Sequence, residues 1–211
     1  MSDICAQLHR ALRVLERHRF PFDAKRIPLN GLYVLFEKGE TGHGGDRIVR
    51  IGTHTGEAQL RSRLKQHFIT PSKDRSIFRK NIGRALLSRN HDPFIREWEF
   101  DLTTRKAKDE LGPLVDFRKQ AEVERQVSDY IQERFEFVVI GEAEKSARLS
   151  LEARMVSTVS HCRDCGASAG WLGLSSPKDK IRESGLWQVN ELYGEGLSAA
   201  DLERILATVN N

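Results

Sequence analysis

Three features of the sequence carry residue types that can do chemistry. Arg63 and His67 lie four apart, beside Leu60, Leu64 and Phe68, which recur at the same spacing. That period puts the Arg and the His along one edge of an apolar helical stripe. A guanidinium and an imidazole held at the border between core and solvent are placed to grip an anion. Glu152 is the second feature. It falls in a helical pattern over residues 145–161, among Leu149, Leu151, Met155, Val156 and Val159. An ionised carboxylate on such a face is costly unless it is paired or holds a metal. Arg148, four residues earlier, offers the pairing; a cation is the alternative. The third feature is Cys162-Arg163-Asp164-Cys165. One CxxC without a second pair is a poor zinc signal, and Cys5 or His161 could complete a site only by the accident of folding. Reduced thiols are the expectation.

The elements that must position these residues can be read from their patterns. The β-rich runs 31–36 and 48–52 flank a glycine-rich turn over 39–45 and read as a hairpin. Residues 135–140 form a third strand, closed by Gly141. Ile4, Leu8, Leu12 and Leu15 give a helix over 3–19, ended by Pro21. Ser76 caps a basic amphipathic helix whose Arg79, Lys80 and Arg84, with Arg75 before it, are candidate phosphate contacts, as is Lys65. Residues 94–100 suggest a strand with Trp98 inward, 103–112 a loop, and 117–134 a helix. Past residue 165 the chain is irregular and aromatic-bearing until a terminal helix begins at Ser198.

The 211 residues are 39% hydrophobic, enough for a real core. No apolar run approaches the length of a membrane span, and the charged first 20 residues do not resemble a secretory leader. A cytoplasmic protein with no membrane partner is the expectation. The net charge is +4, but residues 47–89 hold eleven Lys or Arg against Glu57 and Asp74, a balance of +9. A local excess of this kind attracts polyanions, nucleic acid first among them.

The stretch 31–67 resembles the GIY-YIG nuclease family. Gly31-Leu32-Tyr33 matches the first half-motif and Arg50-Ile51-Gly52 the second, with Arg50 where the family usually has a tyrosine. Arg63 matches the family's helical arginine, and His67 the histidine that several members carry one turn later. The resemblance implies an α/β fold: a small central sheet of about three strands flanked by helices. Residues 29–165 would form the nuclease core, 1–28 a helical addition, and 166–211 an irregular segment and terminal helix packed on it. It implies a metal-dependent endonuclease acting on DNA, duplex or branched. Glu152 would hold one Mg²⁺, with Mn²⁺ as an alternative; Arg63 would hold the phosphate; Tyr33 would act on the attacking water, with His67 accepting or relaying the proton. Asn190 matches the family's phosphate-side Asn, though at longer spacing from the Glu. An arginine cannot act as a base near neutral pH, so Arg50 would bind phosphate or depress the Tyr33 pKa, with His54 taking over part of the missing role. Two alternatives remain: a catalytically weak nucleic-acid-binding module on the same fold, and a basic protein-interaction domain.

Overall fold

A computed structural model describes residues 2–209. Helix α1 (Ser2–Arg13) is followed by a two-residue strand, β1 (His18–Arg19), and the long hairpin β2 (Gly31–Gly42) and β3 (Gly45–Gly52). Then come helices α2 (Leu60–Phe68), α3 (Ile77–Arg89), α4 (Ile95–Trp98), α5 (Arg105–Leu111) and α6 (Phe117–Arg134). Strand β4 (Phe135–Gly141) leads to α7 (Lys145–Ser160), α8 (Asp179–Ser184) and α9 (Ala199–Val209). Among the described residues, the four strands make one antiparallel sheet in the order β1-β4-β2-β3. The α/β architecture read from the sequence is therefore the one observed, with a fourth strand too short to leave a pattern.

Alternation along β2 builds two cores. Tyr33 and Leu35 point to one face, covered by α2, α3 and α6; Leu32, Val34 and Phe36 point to the other, covered by α1, α7 and α9. On β3, Leu35 pairs with Arg50 but Phe36 pairs with Ile48, so Val49 is an extra residue. This bulge turns Arg50 onto the α2–α3 face and leaves Ile51 on the other. Farther along the same pair, Tyr33 sits opposite Gly52, and a Cβ at Gly52 would lie 2.3 Å from the Tyr33 hydroxyl. Only glycine leaves room for the phenol to lie across the strand end.

The free edge of β3 is covered by residues 185–189. Trp187 N–H donates to Val49 O at 2.8 Å, and the Gln188 amide oxygen accepts from Ile51 N–H at 3.0 Å. Arg47 donates to Gly185 O at 2.6 Å, and Arg50 donates to Trp187 O. The indoles of Trp171 and Trp187, 4.9 Å apart, both donate to the buried Glu37 carboxylate on β2. The aromatic segment is thus built into the core and guards an edge strand.

Several elements differ from their sequence reading. The first helix stops at Arg13, because His18 and Arg19 pair with Phe137 and Glu136. Residues 95–98 are helical rather than extended: a short apolar run does not tell the two apart. Trp98 is still turned inward, donating to Lys80 O at 3.0 Å. Within the expected loop, Thr104 caps α5 through the Ala107 N–H.

Candidate active site

The sheet end carrying Tyr33 and Gly52 faces α2 and α3. His67 leaves α2 at its last turn and is fully buried. Its Nε2 lies 2.7 Å from the Tyr33 hydroxyl, and its Nδ1 lies 2.7 Å from Ser76 Oγ. Ser76 also caps α3, accepting from Arg79 N–H. One hydroxyl therefore anchors a helix and orients an imidazole. Burial, then the charges of Arg63, Arg50 and Arg79, holds the His67 pKa well below its usual value, so the ring is neutral at physiological pH.

Beside this pair opens a polar cavity of about 240 Å³. Arg50, Arg63, Glu152 and Asn190 all line it, with Gln188 and Glu191. Each arrives on a different element: Arg50 by the bulge on β3, Arg63 from α2, Glu152 from α7, and Asn190 on the segment that covers the β3 edge. Arg63 donates to Gln66 Oε1 at 3.2 Å and to Arg75 O at 3.1 Å, which fixes the guanidinium between this cavity and a neighbouring cleft of about 380 Å³. Arg50 is 6% exposed, and its Nε has no hydrogen-bond partner among the described residues. Glu191 holds a left-handed backbone, φ 60°, and its carbonyl accepts from Ser157 Oγ at 2.7 Å.

Glu152 is half-buried and accepts from Thr53 N–H at 3.2 Å. Desolvation raises its pKa, against the opposing pull of Arg50 and the Thr53 N–H. Arg148 is not its partner. That guanidinium is fully buried and donates to Glu142 O and Ala143 O. The Glu152 carboxylate, anchored by one oxygen at the wall of a polar cavity that Glu191 also lines, fits a hydrated Mg²⁺ or Mn²⁺ that keeps most of its waters.

Other sequence candidates have different occupations. His54 lines the neighbouring cleft, and both ring nitrogens are used by the backbone: Nδ1 donates to Gly56 O at 2.7 Å, and Nε2 accepts from Gly31 N–H at 3.3 Å. It holds the loop after β3. The reading of α3 as a phosphate-facing helix is also corrected. Arg79 is fully buried against Glu124, at 2.8 Å, and also donates to His67 O and Ser128 Oγ. Arg84 pairs with Glu99, and Lys80 donates to Glu99 O at 2.8 Å. Lys65 and Arg75 do remain exposed. The sequence reading missed Thr53, Gln188 and Glu191 as site residues. Ser76 was visible as a helix cap, but nothing in one sequence links a cap to a histidine nine residues earlier.

Arg50, Arg63, Glu152 and Asn190 thus meet about one polar cavity at the edge of a small antiparallel sheet, with Tyr33 and His67 paired in the core behind it, an arrangement suited to a nuclease-like protein. A family model described as a GIY-YIG domain matches residues 3–211, and the chain belongs to that family, whose members are generally endonucleases acting on DNA. The matched stretch includes α1 and the segment after α7. No match was found among curated proteins or among solved structures.

Proposed function

We propose that this protein is a metal-dependent DNA endonuclease, with Glu152 holding one divalent cation, Mg²⁺ or Mn²⁺. The observation that carries the reading is the convergence of Arg50, Arg63, Glu152 and Asn190 on one cavity beside the Tyr33–His67 pair. Held there by Glu152, a divalent cation would supply charge neutralisation and Lewis acidity at the phosphate. The chain's own groups supply the rest. Arg63 presents a planar fork to a non-bridging phosphate oxygen. Arg50 occupies the place of a tyrosine in the family and adds a second cation, its unpartnered Nε ready for an anionic oxygen. Tyr33 would act on the attacking water, its hydroxyl oriented by neutral His67 across 2.7 Å. Asn190, on the cavity lining, would donate to the phosphate. Preorganised charge of this kind is where such a site gains most of its rate.

The test is incubation of the purified protein and of Glu152→Gln with plasmid DNA and Mg²⁺ or Mn²⁺. Cleavage by the parent and none by the variant supports the proposal. A second reading rests on the burial of Tyr33, 1% exposed, together with Arg50 in place of tyrosine: a module that binds DNA and cuts it weakly. Salt-dependent retention of DNA without cleavage at any metal concentration selects that reading.

A further inference from the structure

The CxxC at the end of α7 does not stand alone in the folded chain. Cys5 from α1 and His43 from the tip of the β2–β3 hairpin meet it, and the four ligand atoms lie within 4.8 Å of one another. We propose that Cys5, His43, Cys162 and Cys165 form a structural zinc site, separate from the cavity that holds Glu152. The separations suit one tetrahedral ion. Zn–S bonds of about 2.3 Å put two sulfurs about 3.8 Å apart, and Zn–N of about 2.0–2.1 Å puts nitrogen about 3.5 Å from sulfur. Cys5 Sγ and Cys165 Sγ are 3.8 Å apart, and His43 Nε2 is 3.2 Å from Cys162 Sγ. Three thiolates and one imidazole, with no carboxylate, select zinc over a hard cation, and a full set of four ligands is a closed, structural centre.

The surroundings hold the ligands in place. His9 Nε2 accepts from Ile48 N–H at 3.2 Å, so its Nδ1 carries the proton and donates to Cys5 O at 2.9 Å. His9 is thereby a support for Cys5 and not a fifth ligand. Arg13 donates to His43 O at 2.8 Å and to Gly42 O, clamping the hairpin tip. Gly42 lets that tip close: a Cβ there would stand 2.9 Å from Cys165 Cβ. Such supports orient metal ligands in known sites. All three thiols are buried. A divalent ion is what lets all three ionise together. Bound zinc would join α1, the hairpin and the end of α7, and α7 carries Glu152.

The test is metal content and cobalt spectroscopy on the intact chain. Reduced, zinc-supplemented protein passed through a desalting column should keep about one zinc per chain, and Co²⁺ in its place should give the visible bands of a tetrahedral ion with a thiolate charge-transfer band. His43→Ala, at the half-exposed hairpin tip and tolerable to the fold, should weaken zinc at least about ten-fold, as should Cys162→Ser. Glu152→Gln should keep the zinc unchanged, which separates this centre from the proposed catalytic ion. The proposal is overturned by reduced protein that retains no zinc and gives no tetrahedral cobalt spectrum. It is equally overturned if His43→Ala and Cys162→Ser hold zinc as tightly as the parent, or if freshly isolated protein shows a mass two hydrogens short, the mark of a disulfide.

Discussion

The Tyr33 hydroxyl and His67 Nε2 face each other at 2.7 Å in a pair that solvent scarcely reaches. Tyr33→Phe removes that hydrogen bond while keeping the ring that packs across Gly52. The expected cost is about 1 kcal/mol of stability, the usual net worth of one hydrogen bond. Cleavage of plasmid DNA should vanish at the same time. Undiminished cleavage by the Phe variant would show that the hydroxyl handles no proton in the reaction.

The same pair predicts a pH response. His67 titrates well below 6.5 in the folded chain and near 6.5 when unfolded. Below about pH 6.5 the unfolded chain takes up a proton that the folded chain refuses, so stability falls on acidification and is level above that pH. One histidine contributes at most about 1.4 kcal/mol per pH unit. Denaturant melts of the parent and of His67→Asn between about pH 5 and 8 should show a shallower slope in the variant. Parallel slopes would mean that His67 charges as readily folded as unfolded.

Glu152 is disfavoured as a carboxylate by its desolvation. Glu152→Gln keeps an acceptor for Thr53 N–H and removes the charge. The melting temperature should therefore stay level or rise, while cleavage disappears. A lowered melting temperature with cleavage intact would make the carboxylate a structural group.

Arg63→Lys keeps a charge but loses the planar fork, and Arg63→Ala loses both. Each should remain folded, within about 1 kcal/mol of the parent, because among the described residues the guanidinium bonds just Gln66 and Arg75 O. Activity should fall steeply in Lys and further in Ala. A large loss of stability with full activity per folded molecule would assign Arg63 to the fold.

The buried and exposed cations should separate cleanly. Arg79→Ala strands Glu124 and should cost about 3–5 kcal/mol without changing how DNA affinity depends on salt. Lys65→Ala with Arg75→Ala should leave stability unchanged and lower the slope of log affinity against log salt by about 0.9 for each phosphate no longer neutralised. A larger change of slope for Arg79→Ala than for the double variant would reverse the assignment.

The fold was legible where the pattern is local and strong. Apolar periodicity marked the hairpin, α2, α6 and β4, and the half-motifs placed Tyr33 and Gly52 on adjoining strands. Charge was the misleading signal. Six of the eleven cations between residues 47 and 89 are buried, and Arg47, Arg79 and Arg84 pair with Glu40, Glu124 and Glu99. Two of those partners follow the basic run and one precedes it, so the run looked freer than it is. Arg50 was expected beside Tyr33, but its aim depends on a one-residue bulge that no propensity marks. Cys5 and His43 come together with the CxxC only through packing of α1 and the hairpin tip, across more than a hundred residues. Sequence distance hides such a cluster.

The segment over residues 185–189 sets an order of events. Tyr33, Arg63, His67 and Glu152 all precede it in the chain, yet Arg50 has no carbonyl to hold and Asn190 has no position until it docks on β3. A chain still being made therefore has most of the proposed catalytic residues and an incomplete cavity. On the proposed function, the site is complete only once residues 185–189 have sealed the β3 edge. Protease nicking after α7 would reverse the sequence, disarming the site before the sheet itself came apart.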